Sequence, residues 1–140
     1  MSLSVADISA LSHIASDVFD DAIHPDGAKV FLSDANHFIV VAQDEKEKGL
    51  IVGFVSAVRQ FHPDWKQPEL FISEVGVAPA YQRRGIARIL MQMMLENAQS
   101  LGCGCAWVAA EADNRAALGL YTSVGGKTST KPIHIEFDLK

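Results

Sequence analysis

The sequence predicts an α+β fold in which a mixed, mostly antiparallel sheet is flanked by helices. Short polar turns separate the strand-like segments in the first half of the chain, whereas helical segments separate them in the second half. The length of 140 residues, with 49% hydrophobic and 21% charged residues, suits a single hydrophobic core. We therefore expect residues 1–140 to form one domain.

The first half of the chain is predicted to contain two helices and three strands. Apolar residues spaced for one helical face run from Val5 to Phe19, which predicts an opening helix that begins near Ser4. A shorter helix is expected around Ala28–Leu32. Segments rich in β-branched and aromatic residues predict strands at 37–44, 50–58 and 69–77. The charged turn EKEKG joins the first two strands into a hairpin, and the third strand has the two-sided apolar pattern of a central position.

The second half is predicted to contain two helices and two strands. The long helix covers 85–101 and should bury one stripe of apolar residues, namely Ile86, Ile89, Leu90, Met93, Ala98 and Leu101. A strand is expected at 105–111. A shorter helix follows, capped by Asp113 or Asn114, with Ala117, Leu120, Tyr121 and Val124 on its inner face. The segment IHIEFDL at 133–139 is predicted to be the last strand.

Composition narrows the classes of partner. The formal net charge of −5 argues against nucleic-acid binding, since an acidic surface repels phosphates, and it favours a cationic partner. No run of apolar residues approaches the roughly 18 that a membrane span needs, and the N-terminus lacks the pattern of a secretory signal. We therefore expect a cytoplasmic protein that binds neither nucleic acid nor membrane.

The sequence predicts no metal site. Cys103 and Cys105 lie two residues apart, but no second cluster of Cys or His residues could complete a zinc site. The five histidines are scattered without metal-ligand spacing. The two cysteines are expected to be small buried residues at a junction between helix and strand.

The stretch from Val77 to Ala87 carries the most specific functional signal. A buried strand leads into a short loop that opens a long helix, and the free N–H groups of a helix N-terminus suit a phosphate. Gly85 would let the backbone approach an anion closely. Arg83 and Arg84 oppose the helix dipole at this end, a conflict that an anionic ligand would relieve. Alternatively, the two arginines are solvated residues of a surface turn.

This loop resembles a known family. The run Gln82, Arg83, Arg84, Gly85, Ile86 and Ala87 matches the Gln/Arg-x-x-Gly-x-Gly/Ala signature of the GNAT superfamily of N-acetyltransferases. The order of elements over 37–126 also matches. The resemblance implies that the loop amides hold the pyrophosphate of acetyl-CoA. The segments SAVRQFHPDWKQPELFISEVGVAPAYQRRG and AEADNRAALGLYTSVGGK look like the aminoglycoside 3-N-acetyltransferase subgroup.

Acetyl transfer to an amine needs a base, because an amine with a pKa near 10 is mostly protonated at neutral pH. Glu74 is the candidate base: it interrupts the third strand, where it should share a face with Leu70, Ile72 and Gly76. Alternatively, it is a carboxylate at the rim with a salt-bridge partner. Gly76 would mark a bulge that opens the sheet for the pantetheine arm of CoA. The resemblance implies that backbone amides near Val75 and Val77 bind this arm and polarise the thioester.

The resemblance further implies that Tyr121 is the acid that protonates the departing thiolate, although its position equally suits a packed core tyrosine. Asn114 would bind the pantetheine arm, or act only as a helix cap. Glu111 and Asp113 could complete an acidic substrate pocket, although capping also explains Asp113.

These residues leave three hypotheses open. The first is direct acetyl transfer, in a ternary complex, to a small polycationic amine such as an aminoglycoside antibiotic. The others are a protein or peptide N-acetyltransferase and a non-catalytic acetyl-CoA-binding module. GNAT domains usually begin with a strand, for which an opening helix near Ser4 leaves too few residues. The exposed sheet edge predicts a cover, either a second subunit in a homodimer or a helix of the same chain.

Overall fold

The computed structural model describes residues 5–128 and 133–139. The strands in this part of the chain are β1 (His37–Asp44), β2 (Leu50–Gln60), β3 (Glu69–Val77) and β4 (Cys105–Val108). Its α-helices are α1 (Pro25–Ser33), α2 (Ile86–Ser100) and α3 (Arg115–Ser123), and 3₁₀ helices cover Val5–Ser12, Glu45–Glu47 and Pro79–Tyr81. Of these described helices, none has the length and apolar character to span a bilayer.

The four strands form one sheet in the order β1-β2-β3-β4. The first three strands are antiparallel, and β4 is parallel to β3. This arrangement confirms the predicted α+β class with a mixed, mostly antiparallel sheet. Strands β1 and β3 have the predicted bounds, whereas β4 ends three residues before the predicted strand, at Val108.

Apolar clusters cover both faces of the sheet. On one face, Leu90 and Met94 of α2 pack against Val40, Val55 and Leu70. On the other face, the N-terminal segment and α1 pack over a second set of buried residues, which includes Leu11, Val18, Ile39, Val41 and Phe54. The alternation of Ile39, Val40 and Val41 between the two clusters is the period-two pattern of a strand with both faces buried.

The predicted opening helix is wrong beyond Ser12. A 3₁₀ helix covers Val5–Ser12, and the chain then becomes extended and forms a bridge between Ile14 and Ile51. The amide of Ala15 donates to the Ile51 carbonyl oxygen and the Ile51 amide donates to the His13 carbonyl oxygen, both at 2.9 Å. Ile51, at this end of β2, has no partner in β3. Its backbone groups therefore pair with the segment that follows the 3₁₀ helix. Ser4, the predicted start, lies outside the described residues.

The predicted buried stripe of α2 is also partly wrong. Leu90 and Ala98 are buried as expected, but Met91 and Met94 are buried with them, while Ile89 is 57% exposed and Met93 is 38% exposed. The run ILMQMML offers apolar residues at adjacent positions, so periodicity alone does not fix the rotation of the helix.

The cysteines and the C-terminal segment also depart from expectation. Cys103 is half-buried, but Cys105 is exposed because alternate residues of β4 face away from the core. Residues 133–139 form no strand, and their four apolar side chains are 71–93% exposed. The alternating pattern is present in the sequence, but a strand needs a neighbouring strand, and within the described residues this segment joins no sheet. Across the described ranges, no group of three or more metal-ligating side chains occurs.

Strand β1 lies at the end of the sheet and is buried on both faces. No strand precedes β1 among the described residues, yet Val40 and Val41 are 0% and 1% exposed. Helix α1 packs beside this strand, and Phe31 stacks on His37 with ring centroids 4.9 Å apart. These contacts lie on the faces of β1 and not along its outer edge, so the predicted cover of that edge, by a second subunit or by a helix, stays a prediction.

Gly76 has a packing role that differs from the predicted one. It pairs regularly with Phe54, so it does not mark a bulge. A Cβ atom at this position would overlap the Val18 carbonyl oxygen and would lie 2.8 Å from Cε1 of Phe54. The missing side chain lets the segment around Val18 and Phe19 lie directly on β3, with Phe19 stacked on Phe54 at 4.0 Å.

Replacing Gly76 with alanine is expected to destabilise the fold, because the Val18 main chain cannot rotate away from a new methyl group. Overpacking of this kind costs typically about 1–3 kcal/mol, and we expect the free energy of unfolding in urea to fall by that amount. Gly119→Ala is the control: nothing lies within 4 Å of its Cβ position, and alanine stabilises a helix by about 0.5–1 kcal/mol. Equal stability of Gly76→Ala and the parent would contradict this close contact.

Candidate active site

The side chain of Glu74 is placed by a β-bulge in β3. Ile72 pairs with Ala57 and Glu74 pairs with Ser56, so Ser73 is an extra residue in β3. The bulge shifts the alternation by one position. Ile72 packs in the cluster beside α2, whereas Glu74 lies on the opposite face. The prediction that Glu74 shares a face with Leu70 and Ile72 is therefore wrong, because sequence alternation does not reveal a bulge.

Beyond this bulge, no described residue pairs with β3 on its β4 side. The paired residues run from Glu69 with Cys105 to Ile72 with Val108, after which the chain that follows β4 leaves the sheet. Val75 and Val77, which are half-buried, lie in this unpaired stretch, and they pair on the other side with β2. The carbonyl oxygen of Val77 accepts a hydrogen bond from Nε2 of Gln82 at 3.0 Å, which ties the following loop to the strand end.

Glu74 lines a cavity of about 380 Å³ together with Asp20 and Asp21. Aromatic and apolar residues complete its wall, including Phe19 and Phe31. Partial burial raises the pKa of the Glu74 carboxyl, and the neighbouring charge of Asp20, its hydrogen bond with Glu74 and the charge of Asp21 raise it further. Three carboxyl groups thus converge on one cavity. Asp20 and Asp21 were not among the predicted site residues, because they follow the extended segment that was predicted to be a helix.

The loop between β3 and α2 presents unpaired backbone amides. Arg83 and Gly85 adopt left-handed conformations, with φ of +63° and +80°. In the described structure, no acceptor is seen for the amides of Arg83, Arg84 and Gly85. The first internal bond of α2 runs from Ile89 to the Gly85 carbonyl oxygen at 3.2 Å, so the amides of Ile86 and Ala87 have no partner in the helix.

The loop is also positively charged and open. Gly85 occupies the N-cap position of α2 without a capping side chain, and nothing lies within 4 Å of where its Cβ would be. Arg83 and Arg84 are exposed, and neither forms an ion pair with any described carboxylate. An uncapped helix N-terminus beside two uncompensated arginines has the charge and donors that a phosphate group requires.

Tyr81 holds this loop against the β1–β2 hairpin. Its hydroxyl donates to Oδ2 of Asp44 at 2.6 Å, and the guanidinium of Arg84 lies 5.0 Å from the centre of its ring. This hydrogen bond is the main reason that the pKa of Asp44 is lowered and that of Tyr81 is raised. No spacing pattern signals this contact in the sequence, since the two residues are 37 positions apart.

The remaining predicted residues lie on and before α3. Tyr121 is half-buried against the α2 cluster, and burial raises the pKa of its hydroxyl. Asn114 caps α3, with its side-chain oxygen accepting from the Ala117 amide at 3.1 Å. Glu111 and Asp113 are exposed and do not line the cavity that contains Glu74. Their predicted contact with substrate stays a prediction, as do the catalytic role of Tyr121 and the ligand contact of Asn114.

Comparisons with known proteins agree on a family. A model described as the acetyltransferase (GNAT) family matches residues 8–125. The ribosomal protein bS18 alanine N-acetyltransferase of Escherichia coli strain K12 is 32% identical over 62 residues, which are 44% of this chain and 42% of that protein. N-alpha-acetyltransferase RimI of Mycobacterium tuberculosis is 34% identical over 90 residues, which are 64% of this chain and 51% of that protein. The matched part thus spans about half the length of these relatives, or less.

The fold is shared with solved structures along the whole chain. An aminoglycoside acetyltransferase from an uncultured soil metagenomic sample, solved in complex with sisomicin, superposes with a TM-score of 0.86. The two chains are 18% identical, and the match covers 100% of this chain and 95% of that chain. At this identity the similarity establishes a common fold.

The raised pKa of Glu74 provides a test of the cavity. Asp20→Asn removes a like charge and the carboxylate of the hydrogen-bonded pair, so the pKa of Glu74 should fall toward its ordinary value. Partial burial remains, so the pKa should not return to that value completely. The measurement is a carbon-13 NMR titration of the glutamate carboxyl groups. Asp26→Asn, in α1, should leave the Glu74 titration unchanged; an equal effect of both variants would contradict the described pairing.

Proposed function

The chain belongs to the acetyltransferase (GNAT) family, and we propose that it transfers an acetyl group from acetyl-CoA to a primary amine of a small polycationic molecule. One observation carries the proposal. Glu74 lines an acidic cavity and lies on β3, and the end of β3 leads into the uncapped, positively charged loop. The two features suit the two substrates, since the cavity attracts a cation and the loop attracts a phosphate.

Acetyl-CoA, the cosubstrate of this family, fits the residues around the loop. The free amides of Arg83 to Ala87 would bind its pyrophosphate, with both arginines as additional donors. Gln82 would support the loop through its bond to Val77. The stretch of β3 without a β4 partner would leave the backbone at Val75 and Val77 accessible to the pantetheine arm. Asn114 would contribute through its amide nitrogen, since its oxygen already caps α3.

When bound, acetyl-CoA supplies the thioester carbonyl that an amine attacks. Glu74 would accept the proton that an ammonium group must lose first, directly or through water, and its raised pKa brings it closer to the pH at which a base works best. Tyr121 keeps its proton at neutral pH, since the pKa of a tyrosine is ordinarily about 10 and burial raises it further, so it could donate that proton to the leaving sulfur. Burial raises the pKa of the Cys103 thiol, and partial desolvation together with the neighbouring Glu69 carboxylate raises that of Cys105, which supports direct transfer over a cysteine-bound intermediate.

The acceptor is inferred from the cavity. Asp20 and Asp21 add negative charge beside Glu74, and Phe19 and Phe31 offer aromatic faces to a cation. Several carboxylates around one cavity favour a substrate with several ammonium groups over a single amine. An aminoglycoside has this chemistry, and the structure that superposes on the whole chain bears that name.

A peptide acceptor is the second candidate. It is favoured by the two relatives named above, one an alanine N-acetyltransferase of a ribosomal protein and the other an N-alpha-acetyltransferase. A free peptide N-terminus brings one positive charge into the site, so it would use less of the acidic cavity. A module that binds acetyl-CoA without turnover is the third candidate, and an assay for CoA release separates it from the other two.

The phosphate loop is tested by Gly85→Val. Acetyl-CoA should raise the melting temperature of the parent, since a ligand at 100 times its Kd stabilises the native state by about 2.7 kcal/mol. Valine would place its side chain over the loop amides and abolish this shift. Gly102→Val is the matched control: its φ of +75° gives similar backbone strain and its surroundings are equally open, but it lies at the other end of α2. A normal ligand-induced shift in Gly85→Val would refute the assignment of the loop.

The acceptor is tested by CoA release with an aminoglycoside, spermidine and a peptide with a free N-terminus. We expect the highest kcat/KM with a polycation. Asp21→Asn should raise KM for that substrate roughly tenfold, as expected for one charge-assisted hydrogen bond, with kcat nearly unchanged. Asp26→Asn serves as the control. A peptide as the best substrate, with no response to Asp21→Asn, would favour the second candidate, and no CoA release from any acceptor would favour the third.

A further inference from the structure

The hydrogen bond between Tyr81 and Asp44 joins two parts of the chain that are distant in sequence. Asp44 is the last residue of β1, and Tyr81 ends the 3₁₀ helix that precedes the loop at 82–85, to which the proposed function assigns the phosphates of CoA. The Tyr81 hydroxyl donates to Oδ2 of Asp44 at 2.6 Å, and Oδ1 accepts from the Lys46 amide at 3.0 Å. One carboxylate thus binds both the hairpin turn and the residue before the loop, and a charged acceptor makes such bonds strong.

The loop needs support from outside itself. Arg83 has a φ of +63°, which a residue with a side chain seldom adopts unless its surroundings hold it there. Among the residues that the structure describes, no acceptor is seen for the amides from Arg83 to Gly85. Two side-chain bonds lie immediately before them, one from Gln82 to the end of β3 and one from Tyr81 to the hairpin. The conformation of the loop therefore depends on these two bonds and on the helix that follows.

Tyr81 also orients an arginine of the loop. The guanidinium of Arg84 lies 5.0 Å from the centre of the Tyr81 ring, whose negative face attracts it. Donation of the hydroxyl proton to the Asp44 carboxylate polarises the phenol and strengthens this attraction. No described carboxylate forms an ion pair with Arg84, so the ring orients the guanidinium without neutralising its charge.

We propose that Asp44 and Tyr81 are positioning residues, whose hydrogen bond holds the loop backbone and Arg84 in the arrangement that binds the phosphates of CoA. This inference rests on the proposed function, because it concerns the same loop and the same cosubstrate. Without the bond, the loop would also adopt other conformations, and the apparent Kd would rise as the fraction of binding-competent molecules falls. A hairpin that does not line the acidic cavity thereby contributes to cosubstrate affinity.

The affinity is tested by calorimetric titration with CoA. Tyr81→Phe keeps the ring beside Arg84 and removes only the hydroxyl. We expect its Kd to be roughly tenfold higher than that of the parent, which corresponds to a binding-competent fraction of about one-tenth. KM for acetyl-CoA should rise by the same factor with kcat nearly unchanged, because the phosphates are bound equally in the ground state and the transition state. The matched control is Gln43→Met, which removes a 3.0 Å bond to the Gly49 carbonyl oxygen in the same hairpin and should leave Kd unchanged.

A double-mutant cycle separates the bond from the other effects of each variant. Asp44→Ala removes the acceptor, and it also removes the cap of the hairpin turn. If the two residues act through their bond, Tyr81→Phe should have no further effect on Kd once Asp44→Ala is present. Circular dichroism establishes that every variant is folded. Single effects that multiply in the double variant, or a parental Kd in Tyr81→Phe, would overturn the inference.

A carbon-13 NMR titration of the aspartate carboxyl groups tests the bond without a ligand. Donation from Tyr81 is the main cause of the lowered pKa of Asp44. Tyr81→Phe should therefore raise this pKa, while the amide and the charge of Lys46 keep it below its ordinary value. An unchanged pKa would overturn the inference alone. A raised pKa, together with a parent that does not bind CoA, would instead overturn the proposed function and the inference with it.

Discussion

The acidic cavity depends on one close contact, the approach of the Val18 main chain to Gly76. A strand residue with any side chain would hold the N-terminal segment away from β3 by at least one carbon atom. The contact at Gly76 fixes the residues that follow Val18, and these include Asp20 and Asp21. A glycine that makes no contact with substrate thus determines the position of the charges that surround Glu74.

Opposite charges are arranged along a single strand. Asp20 and Asp21 lie beside Glu74, while the uncompensated cations of Arg83 and Arg84 lie beyond the end of β3. The net charge of −5 conceals this separation, because the acidic residues outnumber the basic ones in the chain as a whole. A cationic acceptor and the anionic phosphates of an acetyl donor would be drawn to adjacent but different places, so the charge at each place also repels the wrong substrate.

Local patterns in the sequence predicted most of the fold, and non-local contacts account for what they missed. The strands β1 and β3 and the loop at Gly85 follow from β-branched runs, helix start signals and a spaced motif, all of which are properties of adjacent residues. The extended stretch after Ser12 does not, since its backbone partner is Ile51, 37 residues from Ile14. The cavity carboxylates were missed for the same reason: Asp20 meets Glu74 only because Val18 packs on β3.

The bulge at Ser73 has a consequence for how this site tolerates change. Downstream of it, every residue of β3 has the opposite orientation to the one that simple alternation from Leu70 would give it. Ile72 and Glu74 already pair with the adjacent residues Ala57 and Ser56, so loss of Ser73 would leave a regular ladder and keep Glu74 facing the cavity. The face of Glu74 is therefore set by its pairing with Ser56, while the extra residue bends and twists the strand locally. In a lineage that diversifies its acceptors, we expect the residue at position 73 to vary, and even to be lost, where the pairing of Glu74 is preserved.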